Sequence, residues 1–484
     1  MRQLGYRAVD ALVERWTALA GDTPWKGGSH EEMSVGFGES PHPPEAGRPP
    51  GEVLDEALTQ VLSRAGRVDH PRFMAFVPSA PTWPSVVADF LAGGFNVFQG
   101  TWLESAGPSR MELQVVDWFR EWVGFPQGAQ GVLTSGGSAS NLLAIAMARI
   151  LAEDPPRPVV YLPDQGHSSL SKACRISGID VEGIRTLPTG PDRRLRPETV
   201  ARAVDEDRAA GRHPLLLCAN GGATNTGVVD PLPALSRLCR EAGIRLHVDA
   251  AYGGFAMLDP EGATALEGLG DADSVTLDPH KWFFQPYECG ALLVREEGAL
   301  ERAFRVTPEY LQDTELGRAQ VNFADRGLQL TRSFRALKIW MSVQTFGMQA
   351  FREAVGVGIR RAREAEAWIV AHPRLELLSP ASLGIVTYRY RGVMRSDAGS
   401  PDRSTLNAPG LDASSTDEPA LDALNRSIQE RIVAEGTAMI SSTRLDERFA
   451  LRLCILNPTT GPEMVEGVLR RVVELGDELQ GAFG

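Results

Sequence analysis

Cysteine is scarce in this sequence: the 484 residues include five cysteines, and none of them forms a Cys-x-x-Cys pair. An odd number of widely spaced cysteines predicts neither a disulfide framework nor a metal site, and it is typical of a reducing, cytoplasmic compartment. Basic side chains are also in the minority, because 49 Lys and Arg stand against 62 Asp and Glu, for a formal net charge of −13. This charge argues against nucleic acid or an anionic membrane as the main partner.

A long, uninterrupted apolar segment is missing as well. The first twenty residues carry Asp10, Glu14 and Arg15 among apolar side chains, which indicates an amphipathic helix rather than a secretory signal. The longest uncharged run, 122–148, is broken by Pro126 and several glycines, so it does not predict a membrane-spanning helix. A composition with 43% apolar and 23% charged residues is that of a globular protein long enough for two or three domains.

Three zones divide the chain. Residues 1–75 contain helical patterns around a Pro/Gly-rich stretch and predict an N-terminal helical arm. Residues 76–345 alternate short apolar runs with amphipathic segments, which predicts one large α/β domain. Residues 346–484 predict a small C-terminal α+β domain, with strands at 383–391 and 449–455. This zone includes a polar insertion at 394–418 whose role the sequence does not indicate.

The middle zone predicts a mostly parallel seven-stranded sheet. Several of its strands are apolar throughout, as strands covered on both faces are. The predicted strands are 131–134, 158–162, 183–187, 214–219, 245–248, 274–277 and 290–294. Ligands of such sheets bind beyond the carboxyl ends of the strands, so we expect the chemistry in the residues that follow each strand.

The first of these strands leads into the sequence Thr-Ser-Gly-Gly-Ser-Ala-Ser-Asn at 134–141. Glycine lets the backbone turn tightly, and the amides at the start of the following helix are able to bind an anion. Ser135 and Ser138 would add hydroxyl donors beside Gly137. The segment predicts a phosphate cradle, although taken alone it is equally explained as a small-residue turn before a helix.

Three other strand ends carry polar side chains. Asp249 ends an apolar strand, where a carboxylate needs a positively charged or hydrogen-bonding partner. Lys281 lies between His280 and Trp282, an environment typical of the partly desolvated amine that imine chemistry requires. His167 follows another strand end. Each residue alone has a structural explanation, but a phosphate cradle, a His, an Asp and a Lys in this order predict a pyridoxal phosphate site.

These motifs resemble those of the group II pyridoxal-phosphate decarboxylases, which include aromatic-L-amino-acid, histidine and glutamate decarboxylases. The resemblance extends from about residue 70 to 346. Its motifs are His-Pro-Arg-Phe at 70–73, Trp102 with Ser105 and Glu112, SGGSASN at 135–141, the His167 segment, Thr-Asn-Thr-Gly at 224–227, HVDAA at 247–251, DPHKW at 278–282 and Arg-Ser-Phe-Arg-Ala-Leu-Lys at 332–338. It implies a fold-type I homodimer with pyridoxal phosphate at the subunit interface and an amino-acid substrate.

The resemblance also implies a role for each matching residue. Lys281 would hold the cofactor as a Schiff base, and Asp249 would pair with its ring nitrogen. His167 would stack on one face of the ring and orient the substrate, while Ala251 would pack on the other face. The other implied cofactor contacts are Ser135, Gly137, Ser138, Thr224, Asp278 and His280. The implied substrate-binding residues are Phe76, Val77, Pro78, Ser79, Gly100 and Trp102.

The proton donor departs from the family pattern. In the animal and plant enzymes a loop tyrosine, seven residues before a Leu-x-Arg, protonates the substrate carbon after CO₂ leaves. Counting back from Leu330 places Phe323 at that position, and a phenyl ring cannot donate a proton. The nearest loop tyrosine is Tyr310, and another acid such as His167 or a water is an alternative donor. Relatives with Phe at this position yield an aldehyde, ammonia and peroxide, so the same products are expected here if Phe323 takes that position.

The sequence therefore predicts a decarboxylase that converts an L-amino acid, in this family most often an aromatic one, to its amine and CO₂. An oxidative aldehyde synthase is the alternative that Phe323 favours, and transamination is another. A different class of function is that of a regulatory protein, which would bind the cofactor without turnover. The intact Lys281, Asp249 and His167 argue against this function. Ala223 replaces a Thr of relatives, which would alter contacts to the ring oxygen of the cofactor. Gly100 replaces a Phe that shapes the neighbouring pocket in the animal enzymes, so the substrate side chain stays open.

Overall fold

The computed structural model describes residues 1–37, 42–78, 80–306, 320–392 and 418–483. The strands are β1 (Phe73–Met74), β2 (Gln130–Thr134), β3 (Pro158–Pro163), β4 (Ile184–Leu187), β5 (His213–Asn220), β6 (Arg245–Asp249), β7 (Ser274–Leu277), β8 (Gly290–Val294), β9 (Leu375–Ser382), β10 (Ile385–Tyr390), β11 (Met439–Leu445) and β12 (Arg448–Cys454). The α-helices are α1 (Arg2–Ala18), α2 (His30–Phe37), α3 (Pro50–Glu56), α4 (Trp83–Phe95), α5 (Ala106–Val123), α6 (Gly137–Leu151), α7 (Ser168–Ile176), α8 (Pro197–Ala209), α9 (Leu232–Ala242), α10 (Pro260–Ala265), α11 (Ala299–Phe304), α12 (Ala336–Ala371), α13 (Glu418–Ala434) and α14 (Pro462–Phe483).

The larger sheet has seven strands in the order β2-β8-β7-β6-β5-β3-β4. β8 runs antiparallel to both of its neighbours, and the other pairings are parallel. The prediction of a mostly parallel seven-stranded α/β sheet is therefore confirmed, and each predicted strand end lies within one residue of the observed one. The strands are almost wholly buried between helices, which explains why the apolar runs showed little alternation.

The strand register positions the polar residues at the carboxyl edge of this sheet. Asp249, the last residue of β6, pairs in register with Asn220 of β5 and with Thr276 of β7. Residues that pair in register across neighbouring strands point to the same face of a sheet. These three side chains therefore form one polar row, on the edge where α/β proteins bind their ligands.

The smaller sheet has five strands in the order β1-β11-β12-β10-β9. The predicted C-terminal strands correspond to β10 and β12, whereas β9 and β11 were not predicted. The edge strand β1 comes from the segment that the sequence assigned to the N-terminal arm, and it pairs parallel to β11. Two residues are too few to show a strand pattern, so only the tertiary pairing reveals β1.

A long helix connects the two sheets. α12 contains Gly347 with φ +70° and ψ 160°, a backbone conformation that breaks the helix and that glycine adopts without a side-chain penalty. Ser79, Tyr310 and the predicted insertion up to residue 417 lie outside the described residues. Within the described ranges, every helix is too short or too polar to cross a membrane.

Candidate active site

A pocket of about 280 Å³ opens at the carboxyl edge of the seven-stranded sheet. It brings together all the residues that the sequence predicted as cofactor contacts. They are Ser135, Gly137, Ser138, His167, Thr224, Asp249, Ala251, Asp278, His280 and Lys281. They come from the ends of several strands that are far apart in the chain, so the sheet assembles this set of side chains.

One end of the pocket is the turn between β2 and α6. A Cβ on Gly137 would lie 2.9 Å from the Cβ of Ala251 and 3.0 Å from Oδ2 of Asp278, so the turn has no room for a side chain. Gly136 has φ +151°, which strongly favours glycine. Because the N-terminus of α6 begins here, its first amides are placed to bind an anion. The cradle therefore fits the phosphate of pyridoxal phosphate.

The centre of the pocket holds Lys281, with Asp278 and His280 beside it. Nζ of Lys281 lies 3.0 Å from Oδ2 of Asp278, and Nε2 of His280 lies 3.6 Å from the same oxygen. Burial lowers the pKa of Lys281, but Asp278 and Asp249 more than offset this effect, so the pKa is raised overall. Burial lowers the pKa of His280, and because its Nδ1 accepts the amide of Cys289 (3.0 Å), the neutral ring carries its proton on Nε2.

The other end of the pocket is formed by the carboxylate of Asp249, which is only 7% exposed. Its Oδ2 accepts a hydrogen bond from Nδ2 of Asn141 (2.8 Å), and its Oδ1 accepts one from the amide of Ala251 (3.2 Å). The two hydrogen bonds fix the orientation of the carboxylate. An ionised carboxylate in a pocket of this shape suits the protonated ring nitrogen of the cofactor.

Sequence reasoning missed Arg452 on β12. Its Nη2 donates to the carbonyl of Thr224 (2.7 Å) on the rim of the pocket, and its Nη1 donates to the carbonyl of Phe76 (2.7 Å). The guanidinium is almost fully buried and joins the predicted substrate segment to the rim. The available signal was a single arginine inside the otherwise apolar end of a strand.

Of the predicted substrate-binding residues that the structure describes, none lines the pocket of its own chain. Phe76 is 62% exposed, and neither Val77 nor Pro78 contributes to the lining. The amide of Trp102 donates to Oδ1 of Asn322 (2.9 Å), while the carbonyl of Gly100 accepts from the amide of residue 324 (2.9 Å). Gly100 and Trp102 are therefore held against the 322–324 segment.

Phe323, which the count from Leu330 places at the position of the proton donor, is buried in the single chain. Its ring has no exposed surface and packs with Val132 and Leu143 in the core behind the phosphate turn. The guanidinium carbon of Arg332 lies 5.0 Å from the ring centroid. Phe323 does not line the cofactor pocket of its own chain, although it borders a smaller pocket beside the phosphate turn. Its assignment to the donor position therefore stays a prediction.

Comparison with known proteins agrees with this pocket. Residues 42–391 match the family model described as the pyridoxal-dependent decarboxylase conserved domain. The chain is 38% identical to an aromatic-L-amino-acid decarboxylase of Bacillus atrophaeus, over 99% of this chain and 96% of the relative. The chain belongs to the pyridoxal-dependent decarboxylase family. This decarboxylase therefore uses pyridoxal phosphate, as the cradle and the pair Lys281 and Asp249 predicted.

Two further proteins are similar to this decarboxylase over most of its length. A crystal structure of Oryza sativa TDC with PLP and tryptamine superposes with a TM-score of 0.89 at 26% identity, covering 99% of this chain and 98% of that one. A phenylacetaldehyde synthase of Arabidopsis thaliana is 29% identical over 87% of this chain and 85% of the relative. Relatives that form amines and relatives that form aldehydes thus share the fold, and the fold alone does not determine the product.

Proposed function

We propose that this enzyme decarboxylates an aromatic L-amino acid to the corresponding amine and CO₂. The observation that carries the proposal is the placement of Lys281, Asp249 and the phosphate cradle in one pocket. The aromatic substrate is supported by the aromatic-L-amino-acid decarboxylase that is 38% identical over almost the whole chain. When bound, the cofactor supplies an electron sink for the electron pair that the departing carboxylate leaves behind.

We propose specific tasks for the residues of the pocket. Nζ of Lys281 would hold the cofactor through its aldehyde group and would give way to the amine of the substrate. Asp249, whose carboxylate is oriented by two hydrogen bonds, would pair with the ring nitrogen and keep it protonated. The N-terminus of α6, with Ser135 and Ser138, binds the phosphate.

We propose that Tyr310 donates the proton that the substrate Cα needs after CO₂ leaves. This proposal rests on the sequence, because Tyr310 lies outside the described residues. The burial of Phe323 in the single chain supports the proposal indirectly, since Phe323 does not line the cofactor pocket there. With a phenol available as a proton donor, protonation at Cα competes with oxidation, and the amine is the expected product.

We further propose a cytoplasmic homodimer in which Gly100 and Trp102 complete the pocket of the second copy. Several large apolar side chains close to these residues are exposed in the single chain, as at a subunit interface. They are Phe90, Phe95, Leu103, Leu328 and Leu330. We keep the division into an arm (1–75), a large domain (76–345) and a small domain (346–484) as part of this proposal. Light scattering of the purified holoenzyme tests the dimer, and a monomer mass at working concentration would contradict it.

Product identification tests the proposed reaction. The reconstituted enzyme is incubated in air with the common amino acids, and the products are identified by mass spectrometry. We expect the amine of an aromatic amino acid without an aldehyde, and no product from Lys281→Ala. An aldehyde together with peroxide would establish an oxidative enzyme instead. A protein that absorbs as a cofactor complex but releases no product would support the regulatory reading.

A further inference from the structure

Asn141 lies on the first turn of α6 and forms hydrogen bonds to four side chains behind the pocket. Its Nδ2 donates to Oδ2 of Asp249 (2.8 Å) and to Oγ of Ser169 (3.0 Å). Its Oδ1 accepts from Nε2 of His247 (3.0 Å) and from Oγ1 of Thr276 (2.8 Å). The Asn141 side chain is 1% exposed, and both donor hydrogens and both lone pairs of its amide are used.

The orientation of this amide follows from the chemistry of its neighbours. An ionised Asp249 only accepts hydrogen bonds, so the NH₂ group of Asn141 has to face it. Oδ1 then faces His247, which must donate from Nε2. Burial lowers the pKa of His247 to about 4, so its ring is neutral near pH 7, and its Nδ1 accepts the hydroxyl of Ser274 (2.8 Å). This arrangement gives each of these buried polar groups a hydrogen-bond partner.

The second donor hydrogen of Asn141 acts on His167 through the hydroxyl of Ser169. Because Oγ of Ser169 accepts from Asn141, its own hydrogen is available for Nδ1 of His167, at 2.8 Å. The amide of Ser169 also donates to Nδ1 of His167, at 3.2 Å. A neutral imidazole whose Nδ1 accepts two hydrogen bonds carries its proton on Nε2.

We propose that Asn141 is a positioning residue that links the two functional sides of the pocket: it orients the Asp249 carboxylate and, through the hydroxyl of Ser169, adds to the amide bond that holds His167 as the Nε2-protonated tautomer. The enzyme then offers an N–H donor from His167 and an oriented carboxylate from Asp249 at the same time. The tasks of Asp249 and His167 belong to the proposed function, on which this inference rests. The shared amide of Asn141 goes beyond it, since it makes the two groups depend on one side chain.

The charges around His167 agree with a neutral ring. Its pKa is lowered because packing against the pocket wall desolvates it. Asp249 and Asp278 oppose this shift, while Lys281 and Lys172 add to it. Since the ring is neutral, its tautomer decides whether the pocket receives a hydrogen-bond donor or an acceptor.

Two variants separate the two arms of this network. Ser169→Ala breaks the arm to His167 and leaves the bond between Asn141 and Asp249 intact. Asn141→Ala breaks both arms. The readouts are the ¹⁵N signals of His167 in histidine-labelled holoenzyme, the equilibrium constant for cofactor binding from absorbance titration, and the pH profile of kcat/KM.

We expect Ser169→Ala to change the His167 signals and the pH profile while cofactor affinity stays within about two-fold. Asn141→Ala should change both and weaken cofactor binding about ten- to a hundred-fold, as expected for the loss of a hydrogen bond to a charged group. His247→Gln still offers an N–H to Asn141, so it should keep the His167 signals and the cofactor affinity of the original protein. His247→Leu offers no N–H to Asn141 and should lose both.

Asn425→Ala is the matched control. Asn425 is a fully buried asparagine that is likewise bonded through both ends of its amide, and it packs far from the pocket against β10. If Asn141→Ala and Asn425→Ala lower Tm alike and neither changes the His167 signals, Asn141 is only structural and the proposal fails. If Lys281→Ala retains product formation, the proposed function fails instead, so the two failures are distinguishable.

Discussion

Lys281 and Asp278 form an ion pair, with 3.0 Å between Nζ and Oδ2, in the centre of the cofactor pocket. The other oxygen of Asp278, Oδ1, is buried and has no hydrogen-bond partner among the described residues. A buried carboxylate with one unpaired oxygen interacts strongly with a neighbouring cation. Asp278 therefore controls the protonation of the amine that has to attack the cofactor aldehyde.

Replacing Asp278 by Asn should lower the pKa of Lys281, because the carboxylate is the main group that offsets its desolvation. More of the amine is then unprotonated at neutral pH. When pyridoxal phosphate is added to cofactor-free enzyme, the absorption band of the complex should therefore appear faster. The pH profile of this rate should also shift to lower pH, which stopped-flow absorbance measures. Asp259→Asn, which changes a helix cap on α10, is the control. An unchanged pH profile would show that Asp278 does not set the charge of Lys281.

Tyr310→Phe should raise the ratio of aldehyde to amine at least ten-fold, because the substrate Cα loses its proton donor. Phe323→Tyr is the matched opposite exchange, and it should leave the ratio unchanged. It places a hydroxyl in a fully buried apolar site, so it should instead lower stability by about 1–3 kcal/mol. Product ratios and thermal unfolding of both variants check this. A fall in aldehyde caused by Phe323→Tyr alone would support the assignment of Phe323 to the donor position.

Arg452→Lys should raise KM for the substrate more than it weakens cofactor binding. One ammonium group cannot reach the carbonyls of both Thr224 and Phe76, which the two guanidinium nitrogens now bind. The segment at 76–78 then loses its attachment to the pocket rim. Steady-state kinetics and cofactor titration measure the two effects. Arg448→Lys, on the same strand but paired with Glu376, is the control. Equal losses in both constants would mean that Arg452 supports the fold and not the substrate side.

His247 should make the protein less stable at acidic pH. Its folded-state pKa of about 4 lies below the ordinary histidine pKa of 6.5, so at pH values below 6.5 the unfolded state binds the extra proton. The stability is fully present above pH 6.5 and is lost as the pH falls to about 4. The loss amounts to about 3 kcal/mol. Subtracting the unfolding curves of His247→Gln from those of the original protein isolates this contribution. Parallel curves between pH 6.5 and 4 would contradict it.

The sequence predicted the residues whose position follows from local order along the chain. Asp249 and Lys281 directly follow strands, and parallel strands bring their carboxyl ends to one edge. Asn141 was visible in a motif, but its task depends on the register of β6 and β7, which place His247 and Thr276 beside it. Arg452 approaches Thr224 from the other sheet, more than two hundred residues away. The burial of Phe323 could not be predicted, because a count along the chain carries no information about which ring the core buries.

The pairing of β1 with β11 also has a consequence during protein synthesis. Phe76 and Ser441, which bond across the same edge, are 365 residues apart in the chain. At about 5–20 residues per second, the ribosome needs about 20 to 70 s to supply the second partner. The seven-stranded sheet, which ends at Val294, is synthesised well before that. In a nascent chain the seven-stranded sheet that carries the cofactor pocket should therefore fold while β1 is still unpaired. We expect chaperones to act on the chain during this interval.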